Sequence, residues 1–167
     1  KNWKISFIDT GLSTQTGSRL RKLEPYLNDE FFLTYGDGVG NVNLKRLVDQ
    51  HHQTKQEITI TTINPSSRYG SLVVEGNKVQ NFIEKPEFSS EIVNAGYMIL
   101  NKSFLEYIDA DDDNIALEAE PFQRAVNNKV MGAFHHKGFW HPMDTIRDNI
   151  NLNKLWDKGD PPWLKIW

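Results

Sequence analysis

Phe31-Phe32-Leu33-Thr34-Tyr35-Gly36-Asp37-Gly38 is the stretch from which the fold can be read. Its first five residues read as a strand buried on both faces, the pattern of a mostly parallel sheet. Gly36-Asp37-Gly38 then ends the run. In open α/β sheets ligands sit beyond the carboxyl ends of the strands, and Asp37 stands at such an end. The flanking glycines let a bulky group approach the backbone. An aspartate so placed suits Mg²⁺, a hard cation held by one or two carboxylates and phosphate oxygens. Gly-Asp-Gly after a strand is equally ordinary turn chemistry.

Working outward, Ile5–Asp9 reads as a strand and Arg19–Leu27 as a helix carrying Leu20, Leu23 and Leu27. Leu44–His52 is helical, with Leu44, Leu47 and Val48 on one face. Glu57–Ile63 is β-branched and alternating, and Asn64-Pro65 stops it. Leu72–Glu75 and Lys78–Ile83 flank Gly76-Asn77, a hairpin signal. Ile92–Leu100 and Val130–His135 are further strands. Ser103–Ile108, Leu117–Val126 and Thr145–Trp156 are helices. Strands that alternate with helices and include one hairpin define an α/β protein with a mixed sheet. No repeat or linker interrupts 1–167, which is expected to be a single domain.

Composition narrows the function. Nineteen basic against 22 acidic residues give a net charge of −3, with no footprint for nucleic acid. There is no cysteine, which removes disulfides and thiolate sites and fits a cytoplasmic protein. No apolar run nears the ~18 residues of a membrane span.

Two further motifs stand out. Glu84-Lys85-Pro86 closes a strand, because proline ends sheet pairing. It offers a lysine as a point charge for phosphate and a glutamate for sugar hydroxyls, or simply a solvated strand end. In Trp140-His141-Pro142-Met143-Asp144-Thr145, Pro142 breaks regular structure, and Asp144 or Thr145 can cap the following helix.

The collinear series Asp9-Thr10-Gly11, Thr16-Gly17-Ser18-Arg19-Leu20, Phe32–Val39, Arg68-Tyr69-Gly70, Phe82–Pro86, Asn94-Ala95-Gly96 and Gly138–Thr145 resembles the sugar-1-phosphate nucleotidyltransferases. The likeness covers the whole chain but only the last two-thirds of a family member. It implies a Rossmann-like, mostly parallel sheet lacking the N-terminal βαβ part with its Gly-rich nucleotide loop. It also implies CTP and glucose 1-phosphate as substrates, Mg²⁺ as cofactor and a homo-oligomer in the intact protein. The Trp-x-Pro-Met-Asp-Thr string and the tail with Trp156, Trp163 and Trp167 favour members that use CTP over uridylyl and thymidylyl relatives. By the same resemblance Asp37 and Asp144 share the Mg²⁺, and Lys85 grips the sugar phosphate. Gly70, Glu84 and Asn94 line the sugar site, and Gly17 and Arg19 lie near the nucleotide. Without the Gly-rich loop the chain alone is expected to be inactive or nearly so.

Rival readings have less support. Asp109–Asn114 places acids at loop positions 1, 3 and 5 of a calcium loop, but Asn114 replaces the glycine required at 6. It reads better as an acidic loop capping the Leu117 helix. His51-His52 and His135-His136 are sequence neighbours that point apart on a helix or a strand, so zinc finds no chelating pair. No Gly-x-Ser-x-Gly elbow is present. The competitor from another class is a non-catalytic sugar-phosphate-binding or subunit-interface piece, suggested by the aromatic tail 161–167.

Overall fold

The structure, a computed structural model, describes residues 2–65, 70–84 and 91–165. The elements in order are α1 (Thr16–Lys22), β1 (Glu30–Thr34), β2 (Gly38–Gly40), α2 (Leu44–Thr54), β3 (Ile58–Ile63), β4 (Ser71–Glu75) and β5 (Lys78–Ile83). There follow β6 (Val93–Asn101), α3 (Glu120–Asn127), β7 (Met131–His135), β8 (Trp140–Pro142) and α4 (Ile146–Asp157). Short 3₁₀ turns lie at Glu24–Tyr26, Lys102–Tyr107 and Pro162–Leu164. A four-stranded sheet runs in the order β1-β6-β3-β7. No two neighbours in it are consecutive in sequence, so its connections are crossovers, as in α/β proteins. β2 pairs with β8 and β4 with β5 as separate ribbons.

Two strands reverse the burial that the sequence suggests. β1, read as buried on both faces, is an edge strand, and Phe32 is 53% exposed. β3, read as alternating, lies inside the sheet, with Ile58, Thr59, Thr61, Thr62 and Ile63 all buried. Ile5–Asp9 is not a strand. An apolar-alternating segment becomes a strand only by pairing. None of the described residues pairs with this one, and Phe7 is 93% exposed.

The chain divides into two compact units. The first comprises 1–33, 48–59 and 98–132, with a core of Ile58, Met98, Leu100, Phe104, Leu105 and Leu117. Here α1 begins earlier than expected and stops at Leu23, two residues before Pro25, where the 3₁₀ turn takes over. A helix start leaves amide donors unsatisfied. The acidic loop supplies the acceptors: Gln15 N–H donates to Asp113 C=O, and Gly17 and Ser18 N–H donate to Ile115 C=O. A Cβ on Gly17 would fall 2.8 Å from that Ile115 oxygen, so only glycine allows the approach. The loop therefore serves α1; Ala119, the residue before α3, gives that helix no side-chain cap.

The same unit buries His51 at 2% exposure. Its Nδ1 meets Thr59 Oγ1 at 2.8 Å and its Nε2 meets Asn101 Oδ1 at 3.2 Å. Asn101 Nδ2 donates to Gln56 C=O at 3.0 Å, which orients the amide so that Oδ1 faces the imidazole. His52, its neighbour, is exposed and meets Glu30 Oε2 at 2.6 Å.

The second unit comprises 34–47, 60–97 and 133–167 and contains both ribbons and α4. In the β4–β5 hairpin Glu75 pairs with Lys78 around Gly76-Asn77. Gly76 has φ +57, positive at the first central residue alone, as in a type II′ turn. An irregularity between Val73 and Val74 shifts the register. Leu72, Val73, Val74, Val79, Phe82 and Ile83 are each 50–58% exposed.

Candidate active site

β2 and β8 form an antiparallel ribbon with Gly38 opposite Pro142, Val39 opposite His141 and Gly40 opposite Trp140. Main-chain bonds extend the pairing at both ends. Asn41 N–H donates to Phe139 C=O at 3.1 Å, and Met143 N–H donates to Asp37 C=O at 2.7 Å. Asp37 thus stands opposite Met143, and Asp144 follows one residue on. The register brings the two sequence-predicted carboxylates to the same end of one ribbon, both exposed. Asp37 stands out in the sequence at a strand end, but neither short strand does: β2 has two glycines in three residues and β8 ends on a proline, so neither carries a local strand signal.

So short a ribbon is not stable by itself. Two aromatic side chains tie it to β6. Trp140 Nε1–H donates to Ala95 C=O at 2.8 Å, and Tyr97 O–H donates to Gly38 C=O at 2.9 Å. The indole lies against β2: a Cβ on Gly40 would sit 3.3 Å from Trp140 Cδ1. Burial pushes the Tyr97 phenol above its ordinary pKa, and the Gly40 backbone hydrogen bond partly offsets the rise.

Asn94-Ala95-Gly96 turns within β6. Gly96 N–H donates to Asn94 Oδ1 at 2.9 Å, and Tyr35 N–H donates to Gly96 C=O at 3.1 Å. Gly96 has φ +77, and a Cβ there would lie 2.9 Å from Tyr35 Cδ2. Gly70 is brought against β5 and Glu84. A Cβ on it would meet the Phe82 ring at 2.6 Å and Glu84 Oε2 at 3.2 Å.

Thr145 caps α4. Its Oγ1 accepts from Asp148 N–H at 3.2 Å while the Asp148 carboxylate accepts from Thr145 N–H at 3.0 Å. This is a capping box closed by aspartate. Of the two candidate caps in the sequence, Thr145 takes the role and Asp144 does not.

The remaining sequence-predicted residues fall elsewhere. Lys85 lies outside the described residues, as does Trp167. Gly17 and Arg19 belong to the first unit, where Arg19 donates to Thr10 Oγ1 at 2.7 Å and to Leu12 C=O at 3.1 Å. In the second unit Trp163 packs on Phe139 with ring centroids 5.7 Å apart. It also helps line a cleft of about 290 Å³ with Gly40–Lys45 and Tyr97. Among the described residues no group of three or more His, Cys, Asp or Glu side chains is placed to hold a metal, and no helix is long and apolar enough to cross a membrane.

With this architecture and site, the chain belongs to the nucleotidyl transferase family, whose sequence pattern matches residues 5–157. It is 38% identical to the glucose-1-phosphate cytidylyltransferase of Salmonella typhi over 167 residues, 99% of this chain and 64% of that protein. The chain thus spans less than two-thirds of the length of that relative. It is also 32% identical to the mannose-1-phosphate guanyltransferase of Saccharomyces cerevisiae over 135 residues, 77% of this chain and 37% of that protein. HddC from Yersinia pseudotuberculosis has the same fold, with a TM-score of 0.67 at 22% identity, over 93% of this chain and 68% of that one. The Rossmann-like mixed α/β fold expected from the sequence is therefore the one observed.

Proposed function

We propose that the chain forms part of an enzyme that transfers a nucleotidyl group from CTP to glucose 1-phosphate, releasing pyrophosphate. The observation that supports this reading is the β2–β8 register, in which Asp37 lies opposite Met143 and Asp144 follows at the same ribbon end. Identity to the S. typhi cytidylyltransferase supports the choice of substrates. A phosphate oxygen of glucose 1-phosphate bonds to the α-phosphorus of CTP, and the bond from that phosphorus to the leaving pyrophosphate oxygen breaks. Such transfers are driven mostly by positioning and charge neutralisation.

The donor chemistry fits Mg²⁺. Two exposed carboxylates at one ribbon end are hard oxygen ligands, and substrate phosphates and water complete such a shell. Asp37 and Asp144 would hold the ion, which supplies charge neutralisation at the phosphates when bound. Lys85 would neutralise the sugar phosphate. Glu84 and Asn94 would accept from and orient the sugar, with Gly70 leaving room beside Glu84. Gly17 and Arg19 would lie toward the nucleotide.

The test is pyrophosphate release with Mg²⁺, glucose 1-phosphate and CTP, UTP, dTTP or GTP in parallel. It is run on this chain and on the chain joined to the upstream third of the S. typhi relative. CTP-selective release by the joined protein, abolished by Asp37→Asn or Asp144→Asn, supports the proposal; little release by the 167 residues alone supports their inactivity. Preference for another nucleotide overturns the assignment of CTP. Absence of release from both overturns the activity.

A further inference from the structure

The β2–β8 ribbon is held by few bonds of its own, yet it carries both candidate metal carboxylates. Each of its strands reaches β6 through one aromatic hydrogen bond. Trp140 of β8 donates to Ala95 C=O at 2.8 Å, and Tyr97 of β6 donates to Gly38 C=O at 2.9 Å. The acceptors flank the chemistry. Gly38 directly follows Asp37, and Ala95 lies between Asn94 and Gly96 in the turn assigned to the sugar. Both bonds point from side chain to backbone, so they fix the main chain that presents the carboxylates rather than the carboxylates themselves.

We propose that Trp140 and Tyr97 are positioning residues, whose two hydrogen bonds fix the backbone on which Asp37 and Asp144 stand at one end of the ribbon, in register with the Asn94–Gly96 turn. The assignment rests on the reading of Asp37 and Asp144 as metal ligands. Neither aromatic group touches substrate or metal in this scheme. Each acts through the backbone of a neighbour. Outer partners of this kind tune metal affinity by about 10–100-fold. The glycines of β2 belong to the same device, since Gly40 allows the indole to lie against the ribbon.

The experiment is direct Mn²⁺ binding to the 167-residue chain, read from the loss of free Mn²⁺ electron paramagnetic resonance signal with glucose 1-phosphate in excess. Wild type is compared with Tyr97→Phe, Trp140→Phe, Asp37→Asn and Asp144→Asn. Tyr97→Phe removes a single hydroxyl and is the clean variant; Trp140→Phe also removes packing. Both are expected to keep cooperative unfolding and to weaken Mn²⁺ binding by about ten-fold or more. Binding of glucose 1-phosphate without metal should change little. That split separates positioning from general loosening of the fold. Mn²⁺ affinity within two-fold of wild type in Tyr97→Phe and in folded Trp140→Phe overturns the proposal while the carboxylate reading stands. Unchanged affinity in Asp37→Asn and Asp144→Asn, or no Mn²⁺ binding by wild type, overturns the carboxylate reading and the positioning role with it.

Discussion

The Met143 amide donates to the Asp37 carbonyl at 2.7 Å, joining the residue before one carboxylate to the backbone of the other. The link is main chain to main chain, so replacing either carboxylate leaves it in place. Asp37→Asn and Asp144→Asn should therefore unfold within about 0.5 kcal/mol of wild type while removing the charge at the ribbon end. Thermal or urea unfolding checks the first half, and the pyrophosphate assay on the joined protein checks the second.

Thr145, not Asp144, closes the capping box of α4. Thr145→Ala should cost about 1 kcal/mol of stability by opening the capping box, whereas Asp144→Ala leaves that box intact. Urea denaturation of the two variants side by side decides the matter. Equal losses would mean that Asp144 shares the cap.

A Cβ on Gly70 would press on the Phe82 ring and approach Glu84 Oε2. Phe82 is 57% exposed, so its ring can swing outward at small cost. Gly70→Ala should leave stability within about 0.5 kcal/mol yet weaken glucose 1-phosphate binding on the order of ten-fold, equivalent to about 1.4 kcal/mol. Calorimetric titration provides the affinity. A large fall in melting temperature instead would show that the hairpin cannot yield there.

Burial raises the pKa of Tyr97 in the fold above its ordinary value of 10.0, so the folded chain holds this proton more tightly than the unfolded chain. As pH rises past the unfolded value near 10, the unfolded state gains by ionising and the fold loses stability. The loss continues until the raised folded pKa is passed, and stability owed to this group is fully present below pH 10. Melting temperature followed from about pH 8 to about 11.5 should fall more steeply for wild type than for Tyr97→Phe.

His51 is buried with both ring nitrogens engaged, by Thr59 and Asn101. His51→Leu should cost about 3 kcal/mol, because it strands two polar groups in the first unit. Adding Thr59→Val should recover part of that loss. Chemical denaturation of the single and double variants measures the coupling.

Sequence patterns located most elements because those elements are local. The 3.6-residue period marks α2 and α4, Gly76-Asn77 marks the hairpin, and the β-branched run marks β3. Burial was less legible. Phe31–Tyr35 looked internal and Glu57–Ile63 read only as alternating, yet β1 is at the edge and β3 inside. Which strand lies where is set by pairings distant in sequence, and composition does not encode it. The same holds at the site. Asp37 and Asp144 stood out by motif, but their meeting at one ribbon end depends on strands that lie on either side of most of the second unit. Tyr97 gave no signal at all, since its partner is a backbone carbonyl that no residue type announces.

Gly96 carries a consequence for how this chain can vary through descent. Any amino-acid replacement of a glycine installs a Cβ, and at this position that atom would fall 2.9 Å from the Tyr35 ring at φ +77. The backbone angle is one that side-chain-bearing residues rarely adopt. Drift at position 96 is therefore opposed twice over: a smaller residue at 35 would clear the clash but leave the backbone angle, so the glycine stays constrained whatever stands opposite it.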